Sequence, residues 1–159
     1  MSEVIIREVE LADKTAFLTA MQQSQALHHP WVKVPLTSQE FDDYLQRCQQ
    51  DNHYGFLVCG KLGRIKGVFN LSEIVRGAFQ SAYLGFYAVA EYAGQGYMSA
   101  GLKLVLQTIF KELNLHRIEA NIQLENIRSI NLVKNHGFRY EGYSPRYLKV
   151  SGVWQGHEH

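Results

Sequence analysis

The chain has 159 residues, with 16 Lys and Arg against 15 Asp and Glu. The resulting net charge of +1 gives no global field for capturing nucleic acid, so any anion site has to be local. Hydrophobic and charged fractions of 46% and 19% are those of a soluble globular chain, and no apolar run approaches the ~20 residues of a membrane span.

At this size one domain over residues 1–159 is expected, since domains commonly run ~100–150 residues. Pro30, Pro35 and Pro145 are the 3 prolines, and no linker, repeat or low-complexity tract interrupts the pattern. The start, Met1 to Arg7, enters a strand-like run without a signal-peptide apolar core, so a cytoplasmic protein is expected. Cys48 and Cys59 show neither metal spacing nor a disulfide framework and read as buried thiols.

Residues 4–9 alternate as a strand, and Ala12 to Ala26 follow as a helix with Phe17, Leu18 and Met21 inward. The loop holding His28, His29, Pro30 and Trp31 has no convergent third ligand, so no metal is expected. Thr37 with Glu40 forms a capping box ahead of a second helix whose apolar face is Phe41, Tyr44, Leu45 and Cys48. Tyr54 to Cys59, Ile65 to Leu71 and Ala82 to Val89 then read as three consecutive strands of a meander.

A helix over residues 98–113 carries Met98, Leu102, Val105, Leu106, Ile109, Phe110 and Leu113 on one face. His116 to Ile122 is a strand that returns beside the earlier one by a right-handed crossover, making a βαβ unit. Asn126 to Asn135 forms a short helix with Ile127, Ile130 and Val133 inward, stopped by Gly137. Phe138 to Val150 and Val153 to His157 supply two last strands, turned at Ser151-Gly152. The expected fold is mixed α/β: a mostly antiparallel sheet of about six or seven strands, one central parallel pair, and about four helices on both faces.

The stretch Tyr87 to Met98 carries the most chemistry. An apolar strand runs into a turn with Gly94 and Gly96 and then into a helix, so successive amides can converge on an anion at the helix start. A G-x-G pair alone also suits an ordinary turn. Downstream stands a second stretch, Asn121 through Phe138, with Asn126, Ser129, Leu132, Gly137 and Phe138 at defined spacing.

Together the two stretches resemble the Gcn5-related N-acetyltransferase (GNAT) family. Its diphosphate loop, Q/R-x-x-G-x-G/A, matches Glu91 to Gly96, with Glu91 in place of the usual Arg or Gln; its second motif, N-x-x-S-x-x-L/V-x-x-x-x-G-F, matches Asn126 to Phe138. His116 to Asn121, Phe138 to Tyr143, Gly152 to Gln155, Phe69-Asn70 and Val75 to Phe79 are similar to the RimJ/RimL branch of ribosomal-protein N-terminal acetyltransferases. The resemblance covers nearly the whole chain.

It implies acetyl-CoA as donor and direct transfer in a ternary complex, with the pantetheine arm paired to the backbone of Phe86, Tyr87, Ala88 and Val89. The diphosphate would sit on amides of Ala93, Gly94, Gln95, Gly96, Tyr97 and Met98, with Asn121 and Asn126 also on the cofactor. Asn126 suits an N-cap as well, and both roles are expected of it. Ser129 would donate to the departing thiolate; the bland alternative is a solvated helix residue. A backbone N–H near Val89, free where the strands part, is the expected oxyanion donor.

Glu73, Tyr83 and Glu119 are candidate bases, the two glutamates being equally readable as solvated or ion-paired strand residues. Trp31, Tyr143 and Tyr147 are candidate walls of the acceptor pocket, and Trp31 suits core cover equally well. The acceptor implied is a protein N-terminal α-amine, plausibly on a ribosomal protein. Alternatives are a small amine such as a polyamine, antibiotic or amino acid, and a non-catalytic acyl-CoA-binding module. No membrane or direct nucleic-acid partner is expected, and a monomer or homodimer is expected. His157-Glu158-His159 reads as a strand that related chains continue.

Overall fold

The computed structural model describes residues 3–146 and 149–157. Strand β2 (Tyr54–Cys59) is buried on both faces from Gly55 onward, as its unbroken apolar run requires of a strand covered on both sides. Around it stand β1 (Ile5–Glu8), β3 (Ile65–Val75) and β4 (Ser81–Ala88), and beyond these β5 (Arg117–Gln123), β6 (Arg139–Arg146) and β7 (Lys149–His157). They form one seven-stranded sheet in the order β1-β2-β3-β4-β5-β7-β6, antiparallel everywhere except between β4 and β5. The meander, the crossover and the lone parallel pair are those expected from the sequence.

The period-2 alternation of the strands sorts the core into two layers. On one face Phe56, Val58, Phe69, Leu71 and Leu84 pack under α4 (Tyr97–Gln107), and Ile118, Ile122 and Phe138 pack with Val133 of α5 (Ile127–Asn135). On the other face Leu57, Cys59, Val68, Tyr87 and Val89 meet α1 (Lys14–Gln23), the single turn α2 (Gln25–His28) and α3 (Ser38–Cys48). Phe17 and Phe41 stack edge to face at 5.2 Å in this second layer, and both are fully buried. The Thr37 capping box starts α3: the Thr37 hydroxyl accepts from the Glu40 amide and the Glu40 carboxylate accepts from the Thr37 amide. Cys48 and Cys59 are free thiols, and burial pushes the Cys48 thiol up to about 11.

Four expectations need correction. The helix after the glycine turn ends at Gln107 and continues as a wider π-helical turn over Thr108–Glu112. β3 runs on to Val75 past a bulge at Glu73, whose φ is 50°. Ser151-Gly152 is no turn: both residues lie within β7, paired to Gln123 and Ile122. A Cβ at Gly152 would stand 3.0 Å from Trp154 Nε1 and 3.2 Å from the Tyr140 ring, so this glycine serves close packing. Ile127, expected inward, is 59% exposed, because the first turn of α5 is held by its Asn126 cap while burial falls on Val133.

Gly101 of α4 lies directly on β2 and β3, where a Cβ would sit 2.6 Å from Val58 Cγ2 and 3.3 Å from Phe69 Cε2. Val58 and Phe69 are fully buried and have nowhere to retreat. Gly101→Val is expected to destabilise the fold by about 1–3 kcal/mol through overpacking, read as a lower urea midpoint at unchanged m-value.

Candidate active site

The site begins where β4 and β5 part. Their register runs Ser81↔Arg117, Ala82↔Ile118 and Tyr83↔Glu119 and then stops, so the β5-facing edge of β4 from Leu84 to Ala88 has no strand beside it. On the opposite edge β4 stays paired to β3 through Gly67↔Ala88, and the Val89 amide donates to the Lys66 carbonyl at 3.0 Å. The Val89 N–H is therefore engaged, not free as expected from the sequence. Hydrogen-bonding direction alternates along an antiparallel strand, so the amides of Phe86 and Ala88 are the ones turned to the gap.

Two polar side chains from the α1–α2 segment fasten this strand end. Ser24 Oγ accepts from the Ala90 amide at 2.9 Å and donates to the Ala20 carbonyl at 2.7 Å. His28 Nε2 lies 2.7 Å from the Ala88 carbonyl oxygen. A carbonyl only accepts, so Nε2 carries the proton and Nδ1 is a bare acceptor, buried without a hydrogen-bond partner. Burial lowers the His28 pKa from its ordinary value, against the opposing pull of the Ala88 bond, so the ring is neutral at neutral pH. Sequence reasoning passed over Ser24 and weighed His28 only as a metal ligand. The available signal was their position, since Phe17, Met21, Ser24 and His28 continue one buried helical stripe and its last two members are polar.

Beyond Val89 the chain makes a short 3-10 turn, Ala90–Tyr92, and then the glycine turn. Gly94 and Gly96 have φ of 77° and 86°, which a residue with a Cβ adopts only under strain. Gly96 is the N-cap of α4 and offers no side-chain cap, and the Ala100 amide is bonded to the Gly96 carbonyl at 3.1 Å. The amides of Tyr97, Met98 and Ser99 precede that bond and are the orphan donors of this helix start. The Ala93 amide is bonded to Ala90 at 3.2 Å, which removes it from the expected anion cradle. Gln95 Nε2 donates to the Glu91 carbonyl at 3.1 Å, and the Glu91 side chain is exposed.

The far wall of the gap comes from β5 and α5. Asn126 Oδ1 accepts from the Ser129 amide at 3.4 Å, fixing both residues at the first turn of α5. Asn121 Nδ2 and Gln155 Nε2 donate to the two carboxylate oxygens of Glu119 at 3.0 and 2.9 Å, and Arg117 Nε donates to Gln155 Oε1. Glu119 is thus the hub of an amide network. Asn121 Oδ1 is left buried without a partner. Gln123 Nε2 donates to the carbonyls of Pro30 and Trp31 at 3.1 and 3.3 Å, so half-buried Trp31 is carried on a loop strapped across to β5.

Of the remaining expected residues Tyr83 borders this cluster, while Glu73 and Tyr143 fall apart from it. Tyr83 is half-buried in the last paired row beside Glu119. Glu73 is exposed at the β3 bulge next to Ser72, which pairs with Tyr83, so five strand residues, about 17 Å, separate its level from Ala88. Tyr143 is 72% exposed on edge strand β6, in register with Gly152 and hence with Ile122 on the α5 side of the sheet. It does not face the Trp31 loop. Tyr147 lies outside the described residues. Among the described residues no three His, Cys, Asp or Glu groups converge as a metal site, and no helix is long and apolar enough to cross a membrane.

A sheet split at its one parallel pair, with an uncapped helix start at the mouth of the split, is an arrangement whose chemistry suits an extended, phosphate-bearing ligand. The chain belongs to the GNAT acetyltransferase family, whose Acetyltransferase (GNAT) domain matches residues 3–139. It is 34% identical over 117 residues to the probable N-acetyltransferase YjcK of Bacillus subtilis, covering 73% of this chain and 65% of that protein. To the ribosomal protein uS5-alanine N-acetyltransferase of Escherichia coli it is 38% identical over 93 residues, 58% of this chain and 48% of that one. The spermidine N(1)-acetyltransferase of Vibrio cholerae aligns at 24% over 156 residues, 97% of this chain and 89% of that protein. The chain thus spans 65% and 48% of the length of the first two relatives. Mycobacterium smegmatis RimJ, solved with CoA-disulfide, superposes with a TM-score of 0.88 at 23% identity, over 97% of this chain and 81% of that chain, and shows the shared fold.

Burial lowers the pKa of His28, His53 and His136. Such rings take up protons more readily unfolded, so their contribution to stability is full above ~6.5 and is lost as pH falls below it. In His28→Gln the decline of the urea midpoint between about pH 7.5 and 5.5 is expected to be shallower than in the wild type, His53 and His136 keeping their share.

Proposed function

We propose that the protein transfers the acetyl group of acetyl-CoA to a protein N-terminal α-amine, with ribosomal proteins as the acceptor class. The β4–β5 gap carries this reading, because main-chain groups, an anion-receptive helix start and orphaned acceptors meet there. GNAT enzymes use acetyl-CoA, and the residues at the gap fit it. The positive-φ glycine turn and the amides of Tyr97 and Met98 suit a diphosphate, while the Phe86 and Ala88 amides suit an extended arm.

When bound, acetyl-CoA supplies the acetyl group as a thioester. The chain's own part is mainly orientation, which can supply ~7–11 kcal/mol by removing translational and rotational freedom. The Ala88 amide replaces Val89 as the main-chain donor at the thioester carbonyl. Asn126 serves twice: Oδ1 caps α5 and Nδ2 directs the pantetheine arm. Ser129, in the same turn, donates its hydroxyl proton toward the sulfur. Glu119 orders Asn121 and Gln155, and an α-amine of reference pKa ~8 needs only a weak base or a water to become neutral. The bare acceptors Asn121 Oδ1 and His28 Nδ1 sit on the side strapped by the Trp31 loop, where incoming N–H groups satisfy buried acceptors.

The relative that acts on uS5 alanine supports an α-amine acceptor, and the spermidine enzyme supports a second reading, a polyamine. A polycation calls for several free carboxylates in its pocket. Here Glu40 accepts from the Leu36 and Thr37 amides, Asp42 pairs with Lys14 at 2.8 Å and Asp43 accepts from Gln39, so α3 spends its acids on its own cap and surface. This favours the α-amine.

The test is CoA release from acetyl-CoA with peptides bearing free ribosomal-protein N-termini, the same peptides N-blocked, and spermidine. Turnover on free peptides alone is expected. Turnover on spermidine alone would replace this reading with the polyamine one, and turnover on neither would favour a binding module. Ser129→Ala is expected to lower kcat by about tenfold or more while acetyl-CoA Kd changes less than about twofold; equal losses in both would contradict the proton-donor role. Gly96→Val, which forces a β-branched residue to a φ of 86°, is expected to raise the acetyl-CoA Kd by about tenfold or more, measured by titration calorimetry.

A further inference from the structure

Residues 91–98, the turn that suits the diphosphate, contain one acid, Glu91, and no cation. A cation nevertheless reaches this turn from β3. The Lys66 ammonium lies 3.4 Å from the centroid of the Tyr92 ring and 4.7 Å from that of Tyr97. These two rings meet edge to face at 5.8 Å and flank the glycine turn, one just before it and one at the first position of α4. Lys66 is only 9% exposed, and among the described residues no carboxylate lies within ion-pair distance of its ammonium.

An ammonium held against two ring faces at the edge of a cavity, with no carboxylate beside it, keeps donors for an anionic ligand. The seat is also built for it. Gly60 leaves room for the stem, since a Cβ there would stand 2.7 Å from Lys66 Cε. Tyr97 and Lys66 share a cavity of about 310 Å³, and Lys61 on its rim is already paired to Glu3 at 3.1 Å. Arg64 also lines this cavity, and Lys66 is the cation of the lining that lies against the two rings of the turn.

We propose that Lys66 is the phosphate-binding cation of this site: its ammonium, aimed by Tyr92 and Tyr97, pairs with the diphosphate of the nucleotide donor. The assignment rests on acetyl-CoA as donor but not on the identity of the acceptor. It also gives Lys66 two linked duties, since its own carbonyl holds the Val89 amide at the end of β4.

Acetyl-CoA and acetyl-pantetheine separate charge from packing, because they share the thioester arm and only the first carries phosphates. Lys66→Met keeps the length of the stem and removes the charge. It is expected to weaken CoA binding by about 10–100-fold, the size of a charged hydrogen bond, and to flatten its salt dependence. The kcat/KM for acetyl-pantetheine should change less than about twofold, and Lys66→Arg should keep most of the CoA affinity. Equal losses with both donors, or an unchanged CoA affinity in Lys66→Met, would overturn the assignment. Wild-type protein that binds no CoA at all would overturn it together with the donor reading, and a wild type that binds CoA without acetylating any acceptor would leave only the acceptor reading in default.

Discussion

The peptide unit between Ala88 and Val89 is held from two sides, and the rest of the site depends on it. Its N–H is taken by the Lys66 carbonyl of β3 and its C=O by His28 of α2, while Ser24 takes the next amide along. With this strand end fixed, β4 cannot lean across to follow β5. The gap is held open at this end of the sheet, and the amides of Phe86 and Ala88 face it. Unpaired strand edges in the middle of a sheet are unfavourable in an empty protein, and the fold tolerates these because two full layers of core on either side hold the sheet together.

The same peptide unit joins three regions that are distant in sequence. α1 and α2 bring the Trp31 loop, β3 brings Lys66, and β4 leads into the glycine turn. The helix start beyond that turn lacks a side-chain cap, the local property that suits it to an anion. On the opposite wall Asn126 spends only its oxygen on capping α5, and Glu119 spends both carboxylate oxygens on ordering amides. Charge is scarce throughout, which fits the proposed transfer, in which orientation counts for more than strong acid–base groups.

Elements with a long period were legible from residues alone. The α3 capping box, β2, the crossover and the lone parallel pair follow from spacing and from the three-strand meander that leads into the crossover. Errors fell where a residue type has two physical uses. Gly152 was read as a turn former but is small because Trp154 and Tyr140 crowd it. Val89 was taken as free because the parting of β4 from β5 is readable in sequence, whereas which edge each amide faces depends on register. Ser24 and Lys66 were passed over, and His28 was weighed only as a metal ligand, because a polar group on a buried face looks unremarkable until its partner, supplied from a residue far along the chain, is known.

The most direct test of this account is amide hydrogen exchange by NMR at β4, with and without CoA. The free protein should show slow exchange at Tyr87 and Val89, which bond to β3, and fast exchange at Phe86 and Ala88, which face the gap. Adding CoA should slow Phe86 and Ala88 specifically. Protection at Phe86 and Ala88 in the free protein, or exchange there that CoA leaves unchanged, would contradict the claim that the β4–β5 gap is the binding site.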